Sequence, residues 1–284
     1  MPPHPPRLPP GPVRLVATDL DGTLLDPDGN VSARTVAALL AARRAGLHVI
    51  PATGRPPKST WEVAAVAGLG PIGVCANGAA LVDLSCRQVV AVETLPAEDA
   101  RHAVQTLRAV GPGVRCAVDD LERVTHEPGF FDLGLVWDEQ VAVVPDITTV
   151  LGAGIIQMAA RLHGWSASEL IAAASPGLGE RLNLTSSGLD WVEVNPRGVS
   201  KASRLAAVCN RLGIHSDEVV AVGDNLNDLP MLAWAGTGLA MANAVPDVLD
   251  AADGVVAANA EDGVAQLLEQ LVARGPVPVG EVAG

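Results

Sequence analysis

A chain of 284 residues, 49% hydrophobic and 18% charged, has the composition of a folded globular protein and length enough for one large domain or two smaller ones. Its net charge of -13 repels nucleic acid and anionic membrane surfaces, so neither is expected as a partner. With no Tyr, two Phe and five Trp it lacks an aromatic platform for stacking bases, and its core must be built from Val, Leu, Ala and Ile.

Residues 1–12 (MPPHPPRLPPGP) are dominated by proline and contain no apolar core of a signal peptide. They read as a disordered tail. Val13 to Thr18 (VRLVAT) is a buried strand that breaks off into Asp19-Leu20-Asp21-Gly22-Thr23. Ser32 to Ala45 has helical periodicity, with Ser32 as N-cap and Gly46 as the stop. Leu47 to Pro51 is a second strand, ending in Ala52-Thr53-Gly54-Arg55. A helix follows Pro57. Pro71 to Cys75 is a third strand, ending in Ala76-Asn77-Gly78-Ala79. This alternation predicts a Rossmann-like, doubly wound parallel sheet, with each polar cluster at the carboxyl edge where ligands sit.

After about Leu81 the texture changes to short alternating runs: Gln88 to Thr94, Val114 to Val118, Gln140 to Val144, Arg181 to Thr185 and Trp191 to Val194. Helical stretches near Ala97 to Val110 and Ser166 to Ala174 lie between them. Together they predict an antiparallel α+β insert. From Val199 the earlier pattern returns. A helix from Ser200 to Leu212 leads to the strand Glu218 to Val222 and then Gly223-Asp224. A helix from Asp228 to Ala235 and short strands at Gly238 to Ala242 and Gly254 to Val256 follow. The expected division is an α/β core of residues 13–82 plus 190–274, an insert of residues 83–189, and a flexible tail of residues 275–284. No apolar stretch approaches the roughly 20 residues that cross a bilayer. Cys75, Cys86, Cys116 and Cys209 form no C-x-x-C pair and read as buried small hydrophobes in a reducing, cytoplasmic setting.

Four places can carry chemistry. Asp19 and Asp21 put two carboxylates close together past a buried strand. A divalent cation relieves their repulsion, after which one can attack and the other transfer a proton. The same letters also make an ordinary D-G turn. Asp224 to Asp228 (DNLND) brings more carboxylates to the same sheet edge, although Asn227 or Asp228 would also cap a helix. Thr53 offers a hydroxyl, Gly54 exposes backbone N–H groups and Arg55 adds charge, all suited to phosphate oxygens. Lys201 opens a helix, where the dipole disfavours a cation, so a buried anionic partner is expected. Gly68-Leu69-Gly70-Pro71-Ile72-Gly73 has the spacing of a dinucleotide loop, but it precedes a strand, and Pro71 removes an N–H. Trp137, Trp165 and Trp191 of the insert read as packing residues.

Taken in order, these motifs resemble the haloacid dehalogenase superfamily. Its first motif is matched by Asp19 to Thr23, its second by Thr53, its third by Lys201 and its fourth by Gly223 to Asp228. Ala52 to Arg55, Ala76 to Ala79 and Gly198 to Lys201 are similar to the Cof-type branch, whose C2 cap stands where the insert does. The resemblance implies a magnesium-dependent phosphatase acting on small phosphorylated metabolites. Asp19 would form an aspartyl-phosphate, and Asp21 would protonate the leaving alcohol and then activate water. The metal would be held by Asp19, the Asp21 carbonyl and Asp224. Thr53 and Lys201 would hold phosphoryl oxygens, with Gly54, Arg55 and Asn227 beside the phosphate or substrate. Asp228 and Asn77 would support them from behind. Family members that pump ions carry Thr in place of Asp21, so an Asp favours hydrolysis. A phosphomutase and a non-catalytic phosphometabolite-binding module remain as alternatives.

Overall fold

The computed structural model describes residues 8–9, 11–131 and 141–275. Trp137, most of the proline-rich tail and residues 276–284 lie outside the described residues. The first half of the core runs β1 (Leu15–Thr18), α1 (Ala33–Arg44), β2 (His48–Pro51), α2 (Pro57–Ala67), β3 (Ile72–Cys75), β4 (Ala80–Asp83) and β5 (Gln88–Val92). Helix α1 starts where predicted, with Ser32 Oγ accepting from the Thr35 amide at 3.0 Å. Helix α2 starts on Pro57 at its first position and ends on left-handed Gly68.

The insert follows as α3 (Ala97–Val110), β6 (Arg115–Asp119), β7 (Val124–His126), β8 (Val141–Val143), β9 (Gln157–Arg161), α4 (Ala167–Leu178), β10 (Leu182–Thr185) and β11 (Val192–Pro196). The core resumes with α5 (Lys201–Leu212), β12 (Val219–Gly223), α6 (Leu229–Trp234), β13 (Thr237–Met241), α7 (Pro246–Ala251), β14 (Gly254–Val256) and α8 (Gly263–Val272).

The core sheet has the order β14-β13-β12-β1-β2 and is parallel throughout. A parallel bridge from Ala52 to Val74 carries it on to β3. Successive side chains on each strand face opposite layers. Val16, Val220 and Val222 pack under α1 and α8 on one face. Leu15, Ala17, Val219 and Ala221 pack under α5, α6 and α7 on the other. The doubly wound architecture is therefore present, with helices burying both sides of near-continuous apolar strands.

Six strands form the insert's sheet, in the order β10-β11-β9-β6-β7-β8. All its pairs are antiparallel except β7 with β8. One face is covered by α3 and α4. Ala100, Ala103, Val104 and Leu107 recur on the i, i+3, i+4, i+7 pattern and are buried there. The other face carries Phe130, Phe131 and Trp191 in mutual contact.

In the run Gln88 to Thr94, β5 pairs with β4 in a three-stranded sheet with β3. Within residues 190–196, β11 pairs with β9 and β10. We propose that the insert spans α3 to β11, with its two connections at residues 93–96 and 197–200. Cys75, Cys116 and Cys209 are buried as expected, whereas Cys86 is exposed. Trp191 is a packing residue, whereas Trp165 is 40% exposed.

Replacing Leu107 by Ala tests the insert's packing, since the side chain is wholly buried in its core. The expected loss is about 2–5 kcal/mol in urea-induced unfolding; a loss below about 1 kcal/mol would contradict it.

Candidate active site

Two loops leave neighbouring strands at the same end of the core sheet. β1 and β12 are paired in parallel with Thr18 opposite Val222. Strands β2 and β3 run outward from β1, and β13 and β14 outward from β12. The carboxyl ends of β1 and β12 thus flank the point where strand order reverses, which is where such sheets bind ligands. Asp19 follows β1 and Asp224 follows β12.

The Asp19 amide donates to the Val222 carbonyl at 3.0 Å, tying the first loop to the second strand. The chain then makes one wide turn over Leu20–Leu24, with Gly22 at φ 76. A Cβ on Gly22 would overlap the Asp224 carboxylate, so glycine there lets the two loops touch. Thr23 Oγ1 donates to Asp224 Oδ1 at 2.6 Å. Asn243 Nδ2 donates to the Gly22 carbonyl at 2.8 Å.

Lys201 is the first residue of α5 and is completely buried. Its Nζ lies 2.8 Å from Asp19 Oδ1 and 2.6 Å from Asp228 Oδ1. The contact with Asp228 is a hydrogen bond. The one with Asp19 is a close ion pair at the same ammonium. These are the buried anions expected opposite a lysine at a helix N-terminus. Asp228 Oδ2 also accepts from the amides of Asp224 and Asn225, at 2.9 and 3.0 Å. One carboxylate therefore shapes the second acidic loop and holds the lysine.

Burial pushes the Asp19 carboxyl well above the usual range, against the pull of Lys201, and the neighbouring Asp228, Asp224 and Asp21 push it further. Asp224 rises to about 7, through burial and the Asp228 charge, although the Thr23 hydroxyl opposes the shift. Burial alone would lower the Lys201 ammonium, but Asp19 and Asp228 outweigh it and raise it. Three carboxylates thus face one lysine. Oxygens of Asp19, Asp224 and Asp228 lie within 4.8 Å of one another. An all-oxygen set of three buried carboxylates, in excess over the one lysine, fits a hard divalent cation. Asp228, expected as support, holds Lys201 at this cluster.

The Asp21 side chain turns away from it. Arg55 Nε donates to Asp21 Oδ2 at 2.7 Å and Nη2 to Oδ1 at 2.6 Å, a two-pronged grip. Arg55, expected beside phosphate, pairs here with Asp21 and lines the same cavity as Asp19. Thr53 is buried, and its Oγ1 accepts from the Arg55 amide at 3.1 Å. Asp19, Asp21, Thr53, Gly54 and Arg55 line one side of a cavity of about 360 Å³, and Ser187, Gly188 and Leu189 of the insert line the other.

Asn77 and its neighbour Ala76 both hold left-handed backbone, at φ 54 and 49. That costs free energy and persists because the surrounding structure holds it. A Cβ on Gly78 would collide with the Ser200 carbonyl, so glycine lets this turn meet the start of α5. Asn227 Nδ2 donates to Asn77 Oδ1 at 3.0 Å. Asn77 Nδ2 donates to Glu193 Oε2 at 2.8 Å. Glu193, Asn195 and Ser187 were not picked out from the sequence. The signal was the alternation Val192-Glu193-Val194-Asn195, which reads as an ordinary strand with a wet face. Here the polar face is turned onto the core, and Glu193 and Asn195 are buried.

Between the ordinary carboxylate range and about pH 7, the cation-free folded chain holds a proton on Asp224 that the unfolded chain has lost. In chelator, stability should therefore fall as pH rises through that window. Above it, a millimolar divalent cation should raise the thermal unfolding midpoint, and Asp224→Asn should remove most of the rise. Identical midpoints with cation and with chelator would contradict the cluster's reading as a cation site.

A family model described as haloacid dehalogenase-like hydrolase matches residues 16–268. The chain is 30% identical over 264 residues to the pyridoxal phosphate phosphatase YbhA of Escherichia coli (strain K12), covering 90% of this chain and 97% of that one. It is 29% identical over 262 residues to the 5-amino-6-(5-phospho-D-ribitylamino)uracil phosphatase YcsE of Bacillus subtilis (strain 168), covering 92% and 96%. Among solved structures it is similar to BT1666 of Bacteroides thetaiotaomicron, a phosphatase of the haloalkanoate enzyme superfamily. The TM-score is 0.77 at 26% identity, covering 93% of this chain and 98% of that one. Among the described residues no helix is long and apolar enough to cross a membrane. The family match begins in β1 and ends in α8, taking in both acidic loops and the lysine between them, and the chain belongs to the haloacid dehalogenase-like hydrolases.

Proposed function

We propose that the protein is a magnesium-dependent phosphatase that hydrolyses small phosphate monoesters, sugar phosphates or related metabolites, through an aspartyl-phosphate on Asp19. The observation that carries this reading is the buried set of Asp19, Lys201, Asp224 and Asp228, of which Asp19 lines the 360 Å³ cavity. A cavity of that size accommodates a phosphate with a small leaving group. The two curated relatives named above act on small phosphate monoesters, which supports the same class here.

In this reading an Asp19 oxygen attacks phosphorus, and the ester bond to the leaving oxygen breaks. Asp21 gives its proton to that oxygen. A water then attacks phosphorus, returns a proton to Asp21, and releases inorganic phosphate and free Asp19. Lys201 neutralises Asp19 on approach and, with Thr53 and the Gly54 backbone, receives phosphoryl oxygens. Asp19, the Asp21 carbonyl and Asp224, with Asp228 behind them, would hold magnesium, which would neutralise charge on the transferring group. Arg55 grips Asp21 in the present arrangement. Asp21 must leave that grip to carry a proton, and an arriving phosphate offers Arg55 an alternative anion.

Asp19→Asn should lower release of phosphate from p-nitrophenyl phosphate by roughly a thousandfold or more, since an amide is a poor nucleophile and a weaker metal ligand. EDTA should stop the unaltered enzyme, and added magnesium should restore it. Turnover retained by Asp19→Asn, or hydrolysis indifferent to EDTA, would sink the mechanism.

A further inference from the structure

Glu193 lies in β11, is 3% exposed, and has no part in the reaction just described. A carboxylate so buried is costly unless its oxygens are satisfied. Oε1 accepts from Ser187 Oγ at 2.7 Å and Oε2 from Asn77 Nδ2 at 2.8 Å. The Trp191 side chain is a further neutral donor to this carboxylate; Ser187 and Asn77 come from opposite sides of the boundary between insert and core.

A carboxylate can only accept, so Asn77 must turn its NH₂ toward Glu193. Its Oδ1 then faces the other way, where it accepts from Asn227 Nδ2 at 3.0 Å. The orientation of Asn227, a residue of the second acidic loop, is thereby set two hydrogen bonds away. All three side chains converge on Gly54 of the cavity wall. A Cβ there would lie 3.3 Å from Asn77 Oδ1, 3.5 Å from Asn227 Nδ2 and 3.5 Å from Glu193 Oε1.

The same carboxylate holds the roof of the cavity. Ser187, which donates to it, stands in the roof next to Gly188 and Leu189. The roof also meets the core directly, where the Asn227 amide donates to the Ser186 carbonyl at 3.2 Å. Asn195, on the same face of β11, donates through Nδ2 to the Ala76 carbonyl at 3.3 Å, bracing the left-handed turn that presents Asn77. Withdrawing the insert breaks each of these cross-boundary bonds.

We propose that Glu193 is a positioning residue of this hydrolase: its carboxylate sets the direction of a relay from Asn227 through Asn77 into the insert and holds the Ser187 roof over the cavity. The inference rests on the phosphatase reading. It assigns the insert a part in ordering the core's own site, beyond covering it.

A double-mutant cycle tests it. The unaltered chain is assayed first with p-nitrophenyl phosphate and magnesium; no phosphate release there overturns the phosphatase reading, and the inference with it. Failure of the inference alone shows only in the variants. Asn77→Asp sets two carboxylates against each other and should lower kcat/KM by about fiftyfold or more. Glu193→Gln keeps an oxygen toward Asn77 and should cost less than about fivefold. In the double variant the new amide at 193 donates to the new carboxylate at 77, which still accepts from Asn227. That variant should regain at least about tenfold over Asn77→Asp. Rescue is read in kcat at a temperature where all four proteins are folded, so a change in stability alone does not produce it. Losses that simply multiply, or an Asn77→Asp variant with unaltered kcat/KM, would overturn the proposal. Should Asn77→Asp fail to fold, Ser187→Ala decides. It should raise KM by at least about threefold at an unchanged unfolding midpoint, and an unchanged KM would overturn the proposal.

Discussion

The ammonium of Lys201, buried against the carboxylates of Asp19 and Asp228, sets the terms for the rest of the site. Removing one partner of such a buried pair strands the other, at a cost of about 3–5 kcal/mol. The lysine therefore ties together three segments far apart in sequence: the loop after β1, the start of α5 and the loop after β12. The parallel pairing of β1 with β12 brings the two loops to one edge of the sheet. The glycines at 22 and 78 then follow as steric requirements, because a side chain at either would enter the Asp224 carboxylate or the Ser200 carbonyl. The charge balance follows as well. One lysine cannot neutralise Asp19, Asp224 and Asp228 together, and the negative charge left over is what a divalent cation can take up.

The insert completes this arrangement from outside. Its helices seal one face of its sheet, and the other face looks toward the core with Glu193 and Asn195 buried on it. Serine, asparagine and backbone contacts join the two parts at the cavity. Among them, the Asn77 bond to the Glu193 carboxylate is charge-assisted, and the Asn195 and Asn227 bonds are between neutral groups.

Much of the core was legible from residues 13–82 and from residues 199–256. The strand Val219–Gly223 is apolar throughout and stops at an acidic loop, a pattern produced only when both faces of a strand are covered. Helix Ala97–Val110 was legible because its small and apolar residues repeat at helical spacing. The insert's pairing was less so. Gln88–Val92 alternates like any half-exposed strand, and alternation does not say which sheet a strand joins. Gln157–Arg161, two alanines and a methionine between polar ends, carries little strand signal, yet it lies at the centre of the insert's sheet. At the site, Asp19, Asp224 and Lys201 were readable because each breaks a local rule that only a ligand or a buried counter-charge repairs. The Arg55 grip on Asp21 and the Glu193 relay were not, since each depends on which loops meet in space.

The central claim is that the carboxylate of Asp19, and no other group, accepts the phosphoryl group. Enzyme mixed with a phosphorus-labelled ester and magnesium, quenched in acid within milliseconds, reduced with borohydride and mapped by mass spectrometry tests it directly. The account predicts label that survives acid and is lost on reduction, with homoserine appearing at position 19 in proportion. Turnover that proceeds with no trapped phosphoenzyme, or label placed on any other residue, would contradict it.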